Sequence, residues 1–167
     1  MGTKIPFYNL LNMLLTGLIF TGCSIIAFNE HIIHLIESDF SQSVKSINIG
    51  FETIITVSFF AVIYEIGYII NRVGSLMENI LKKSKTILPF NNDYKKFNER
   101  EKTFPKLSTL SREYASSRTS VSLFFIMTIL SCLHKNWDFA MIMFLLTALF
   151  YFSMRKHAGK IVELMKD

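Results

Sequence analysis

Charged and apolar positions in this 167-residue chain fall into long blocks rather than the short alternation of a soluble domain. Ile5 to Asn29 carries no charged side chain, which is enough for one helical crossing of a bilayer at about 20 residues. Thr53 to Tyr64 is again free of charge; Glu65 interrupts it, and the apolar pattern resumes to Ile70 before Asn71 and Arg72. Two later runs, Thr119 to His134 and Phe139 to Met154, hold 16 residues each between charges. At ~1.5 Å per residue each is ~24 Å long against a hydrocarbon core of about 30 Å, so Arg118, Lys135 and Arg155 have to extend toward the interface. The pattern predicts an all-α polytopic membrane protein. It forms one domain with four transmembrane helices at about 6–28, 48–71, 117–134 and 138–155.

The second span does not stop at the interface: a helical pattern runs on toward Lys85 and ends before Pro89 and Asn91-Asn92. A short charged helix is predicted from Asp93 to Lys102. Pro105 opens another that continues into the third span. Extensions of the second and third spans are therefore expected to form a helical neck over 72–118. In it Leu107, Leu110, Tyr114 and Val121 would pack against Val73, Leu76, Ile80 and Leu81. On the opposite side, residues 30–46 separate Ile32, Ile33, Leu35, Ile36 and Phe40 from Glu30, His31, His34 and Glu37 at helical spacing. That is the pattern of an amphipathic segment on the extracytoplasmic surface. Trp137, the only tryptophan, sits in the short turn between the last two spans, where interfacial aromatics anchor.

Charge fixes the expected orientation. Of 18 Lys and Arg, only Lys45 and Lys135 lie on the side opposite the neck, which places both termini and the neck in the cytoplasm by the positive-inside rule. The net charge of +5 is thus mainly a matter of topology, and no nucleic-acid fold signature accompanies it. Lys82, Lys83 and Lys85 fall where anionic lipid headgroups would be met.

Glu65 lies seven residues inside Arg72, or ~10 Å along a helix, so it must be paired, protonated or facing water. Glu65, Tyr68, Arg72 and Ser75 form one stripe; Tyr64, Gly67, Asn71, Gly74 and Glu78 form the stripe beside it. Together they read as one polar face notched by Gly67 and Gly74, open either to coupling or conduction or to plain packing against other helices. Arg112, Glu113 and Arg118 flank the neck seam, and Glu65 or Glu78 is the expected partner of one of these arginines. Gly17 and Thr21 mark a further small-residue packing face in the first span.

Other chemistry is sparse. His31, His34 and Glu37 share a helical face and could touch one metal ion, but they match no established metal spacing, and the reading they favour is a solvated polar face. Phe20-Thr21-Gly22-Cys23 has the outline of a lipoprotein cleavage box, but Phe20 stands where a small aliphatic belongs. Cys23 and Cys132 both fall near the outer ends of their spans and read as small hydrophobes or, alternatively, as a bridge. With no phosphate-binding glycine loop, nucleophile motif or strong metal motif, the expectation is a protein without catalytic residues, metal or cofactor.

The pattern Tyr64-Glu65-x-Gly67, Asn71-Arg72-x-Gly74-Ser75 and Glu78, followed by Tyr94-x-x-Phe97, Pro105-Lys106-Leu107, Leu110-Ser111-Arg112-Glu113-Tyr114 and Arg118, resembles a group of small, uncharacterised bacterial four-helix membrane proteins. Some members of such groups are encoded beside anti-phage defence genes, and the resemblance implies that setting here; it brings no catalytic residues with it. The expected function is a non-enzymatic, homo-oligomeric component of the bacterial inner membrane that senses or perturbs the bilayer. It would contact membrane lipids and couple through its basic neck to a cytosolic protein partner. A housekeeping channel or transporter subunit is the alternative, and a membrane-embedded enzyme using Glu65 and Arg72 a more distant one.

Overall fold

The computed structural model describes residues 7–28, 49–83, 87–89 and 94–166, and all of its regular structure is helical. The helices are α1 (Phe7–Ala27), α2 (Ile49–Leu81), α3 (Tyr94–Thr103), α4 (Pro105–Leu133) and α5 (Trp137–Leu164). All except α3 are long and apolar enough to cross a membrane. The 33 residues of α2 extend to ~50 Å, and the 29 and 28 of α4 and α5 to more than ~40 Å. Each of these three therefore overshoots a hydrocarbon core of about 30 Å by at least two turns.

Local chemistry sets the breaks. Pro105 has no N–H to donate and stands at the first turn of α4, so the chain interrupts at Phe104 between α3 and α4. Between α4 and α5 the reversal takes three residues: Lys135 adopts a positive φ of 58°, and the Asn136 side chain caps α5 by accepting from the Phe139 N–H at 3.3 Å. So tight a turn forces α4 and α5 into an antiparallel hairpin, which is the most extensive helix pair of the structure. The next most extensive pair is α1 with α2; α2 also packs on α4, while α3 touches α4 only lightly.

Two apolar clusters fill the interior. One joins Ile70 of α2, Leu123, Phe124 and Met127 of α4, and Met143 of α5, with the Phe124 and Phe150 rings stacked at 5.4 Å. The other gathers Leu88, Tyr114, Met154 and Ala158. Outward-facing positions are apolar as well, among them Leu15, Val57, Phe60, Ile142 and Phe152. Exposed apolar surface of this extent is what a bilayer covers.

The second cluster changes the composition of the neck. Leu107, Leu110, Tyr114 and Val121 are buried as a seam, but Leu76 and Ile80, expected against it, are 64% and 68% exposed. α2 turns Glu78 toward α4 instead, and the seam is covered largely by α5, whose Met154 and Ala158 are buried together with Met165 just past its end. The extension of α5 beyond Arg155 thus joins those of α2 and α4. Arg100 of α3 closes on it by donating to the Leu164 carbonyl at 3.1 Å. Leu88, in the connection after α2, is fully buried. The amphipathic segment 30–46, with His31, His34 and Glu37, lies outside the described residues, as does Lys85.

Candidate functional site

Helix geometry separates the two polar stripes of α2. At 3.6 residues per turn, Glu65 and Gly67 point about 200° apart, so one faces outward when the other faces inward. Gly67 faces inward: a Cβ added there would clash with the Met13 carbonyl oxygen of α1, and a Cβ on Gly17 would clash with the Ile63 carbonyl oxygen of α2. The two glycines are reciprocal notches at which antiparallel backbones touch. Gly74 meets a different neighbour, with Ser122 Oγ 3.0 Å and the Arg118 carbonyl oxygen 3.2 Å from an added Cβ. The glycine face thus serves two contacts, α1 above and α4 below. Thr21 donates to the Gly17 carbonyl within α1 at 2.9 Å.

The inward stripe ends in a charged knot. Arg118 of α4 donates from Nη1 to Glu78 Oε2 at 2.7 Å and from Nη2 to Asn71 Oδ1 at 2.9 Å. Tyr114, one turn away on α4, donates to Glu78 Oε1 at 2.8 Å, and Lys82, one turn on along α2, pairs with the same oxygen. Thr119 donates to Asn71 Oδ1 at 3.0 Å, and Ser122 to the Ile70 carbonyl at 2.9 Å. Glu78, only 5% exposed, is satisfied on both oxygens, as burial of a carboxylate demands. The knot is the principal polar tie between α2 and α4, and it places Arg118 level with Asn71, next to Arg72.

The outward stripe is arranged differently. Glu65 is exposed on the outer face of α2 and has no hydrogen-bond or ion-pair partner among the described residues. Arg72, also exposed, does not reach up to it: its Nη2 donates to Tyr68 Oη at 2.6 Å, and its guanidinium lies 4.8 Å from the centre of that ring. Ser75 is half-buried and turns toward the neck rather than continuing the stripe. Of the neck charges, Glu113 lies 3.2 Å from His157 Nδ1 of α5, and Arg112 is exposed with its carbonyl accepting from Tyr8 of α1. Lys83 is exposed, whereas Lys82 is drawn in toward Glu78.

Asn71, Tyr114 and Thr119 hold the knot together. The signal for them is spacing: Asn71 and Glu78 are two turns apart, and Tyr114 and Arg118 one turn apart on the facing helix. Cys23 and Cys132 are free, half-buried thiols. Among the described residues no group of three His, Cys, Asp or Glu side chains is placed to hold a metal ion. Comparison with family models, curated proteins and solved structures finds no match to this chain.

Proposed function

We propose that this protein is a non-enzymatic, homo-oligomeric inner-membrane protein. In this reading it is the membrane component of a bacterial anti-phage defence system, perturbing the bilayer on a signal received at its cytoplasmic neck. The observation that carries the oligomeric part is Glu65. A carboxylate facing outward from an apolar helix, among exposed Val57, Phe60, Val62 and Ile69, would meet lipid in a lone subunit. Near the bilayer centre that costs about 2.5–3.5 kcal/mol or more. A second copy covering the stripe takes Glu65 away from lipid and aligns Glu65, Tyr68 and Arg72 along a shared polar surface, where donors of the other copy can satisfy the carboxylate. The basic residues gathered between Arg72 and Arg118 support the cytoplasmic placement of the neck, and the resemblance of the Tyr64 to Arg118 pattern supports the defence setting.

Dye permeability of expressing cells, with and without phage challenge and neighbouring genes, tests the reading. The expected result is an intact membrane until challenge and permeabilisation after it, lost in Glu65→Gln. Permeability that is constitutive and independent of challenge would favour a housekeeping channel subunit, and a monomeric mass in mild detergent would remove the oligomer.

A further inference from the structure

Beside its polar stripe, α2 carries an apolar repeat. Phe59, Ile66, Val73 and Ile80 recur every seven residues. Ile55, Val62, Ile69 and Leu76 recur likewise, each four residues before a member of the first row. Together they keep the 3.5-residue period of a coiled-coil seam unbroken from Ile55 to Ile80, with the Phe59 row at a and the Ile55 row at d. Glu65 and Arg72 fall beside it at g, and Lys83, at the next d position, ends it. The subunit leaves this seam open: Phe59, Val62, Ile69, Leu76 and Ile80 are exposed, and Ile55, Ile66 and Val73 are half-buried. α2 packs on α1 and α4 through its glycine face instead.

Within the bilayer such a seam selects no occupant, because lipid covers any apolar face. The part beyond Arg72 does. On the membrane placement proposed above, Leu76 and Ile80 lie ~6 and ~12 Å along α2 past Arg72, against a headgroup layer about 6 Å thick. Ile80 therefore stands in water and Leu76 at its edge, both about two-thirds exposed. Lipid cannot cover the seam there, and a soluble protein cannot cover its membrane half. The occupant has to be a helix that itself passes from bilayer to water with an apolar face of the same phase. Among the described long helices, α2 alone carries exposed large apolar side chains on both sides of that boundary: those of α4 end at Leu133 and those of α5 at Phe152, before Arg155.

We propose that α2 pairs with α2 of a second copy as a parallel, left-handed coiled coil that runs from the bilayer into the neck. The inference rests on the homo-oligomer reading and deepens it: the seam is the centre of the contact, and Glu65 and Arg72 border it. In the neck, β-branched Val73 and Ile80 stand at a with Leu76 at d, the choice that favours two parallel strands. From Ile55 to Ile80 the seam is ~38 Å long and one helix, ~10 Å, wide, hence roughly 400 Å² on each copy. The pair then buries roughly 800 Å², short of the about 1,200 Å² at which stable association in water begins. Pairing is therefore reversible, as suits a component that stays silent until signalled. Two copies held in one membrane with one orientation also lose less freedom on meeting.

The experiment places single cysteines in the full-length protein lacking Cys23 and Cys132 and oxidises isolated membranes with copper phenanthroline. A bond between two copies at one position forms only where that position meets itself across a parallel pair. Ile69→Cys, Leu76→Cys and Ile80→Cys are expected to give at least about fivefold more disulfide dimer than Ala61→Cys, Tyr68→Cys and Asn79→Cys, which lie off the seam. Leu76→Lys with Ile80→Lys, at positions exposed in the lone subunit, should keep its circular-dichroism spectrum and lower the Ile69→Cys dimer at least about tenfold. Equal dimer at seam and off-seam positions is chance collision and overturns the proposal, as does an Ile69→Cys dimer that survives the two lysines. Dimers at Ala61→Cys and Tyr68→Cys with none on the seam would also overturn it while leaving the homo-oligomer reading standing, since the polar stripe would then be the centre of contact. Leu76→Cys and Ile80→Cys that give no dimer, and are shielded from maleimide in membranes but reactive in the purified protein, would assign the neck to a different protein and overturn the self-pairing.

Discussion

Arg118 crosses from α4 to α2 to donate to Glu78 at 2.7 Å, and the carboxylate it meets is buried to 5% exposure. The pair is one link in a chain: the other end of the guanidinium holds Asn71, and Tyr114 and Lys82 complete the coordination of Glu78. Removing one member of a buried ion pair leaves the other uncompensated, whereas replacing both with apolar groups removes the desolvation penalty with the interaction.

Glu78→Leu should destabilise the bundle by about 3 kcal/mol and Arg118→Met by less, because Lys82 and Tyr114 still face Glu78, and the double variant should lose clearly less than their sum. Thermal unfolding of the three variants in one detergent measures the coupling. Additive losses would show that the two residues act separately.

Gly17→Ala and Gly67→Ala should each separate α1 from α2, because even one methyl group meets a carbonyl oxygen of the facing helix. The expected loss is about 1–3 kcal/mol per variant, with larger losses for leucine. Gly22→Ala, which meets nothing within 4 Å, is the matched control. Gly74→Ala should cost less than either, since its nearest neighbour is the Ser122 hydroxyl. Equal melting temperatures for Gly67→Ala and Gly22→Ala would count against the close crossing.

Accessibility of introduced cysteines tests orientation. In a background lacking Cys23 and Cys132, Lys95→Cys should react with an impermeant maleimide only after the cells are opened, and Ser38→Cys in intact cells. The reverse pattern would invert the topology drawn from the distribution of basic residues.

Glu65→Gln nearly preserves size while removing charge. It should alter subunit association and any permeabilising activity without lowering the stability of the subunit, because Glu65 makes no polar contact among the described residues. Light scattering in detergent and the dye assay read these effects. Tyr68→Phe removes the acceptor of Arg72 but keeps the ring beneath the guanidinium, and should have a smaller effect on both. Full activity in Glu65→Gln and Arg72→Gln, each inserted normally, would remove the outward stripe from function.

Much of the architecture was legible in the order of residues. Uncharged runs bounded by Arg72, Arg118, Lys135 and Arg155 mark the four long helices, because apolar length and charge placement act locally and need no knowledge of neighbours. Pro105 announces the start of α4 for the same reason, since a missing N–H is a property of that residue alone. Direction around a helix was legible only in part. Spacing groups Glu65 with Arg72 and Gly67 with Glu78, but which stripe turns inward depends on what the other helices offer. Tertiary structure decided that Met13 and Gly17 of α1 meet the glycine side of α2. It decided also that Arg118 takes Glu78 rather than Glu65, because a guanidinium level with Asn71 reaches the carboxylate on the inward stripe while Glu65 points outward. The place of α5 in the neck was likewise undetermined by the basic sequence after Arg155. Met154, Ala158 and Met165 become core only when the three-residue turn at Lys135 lays α5 along the whole of α4.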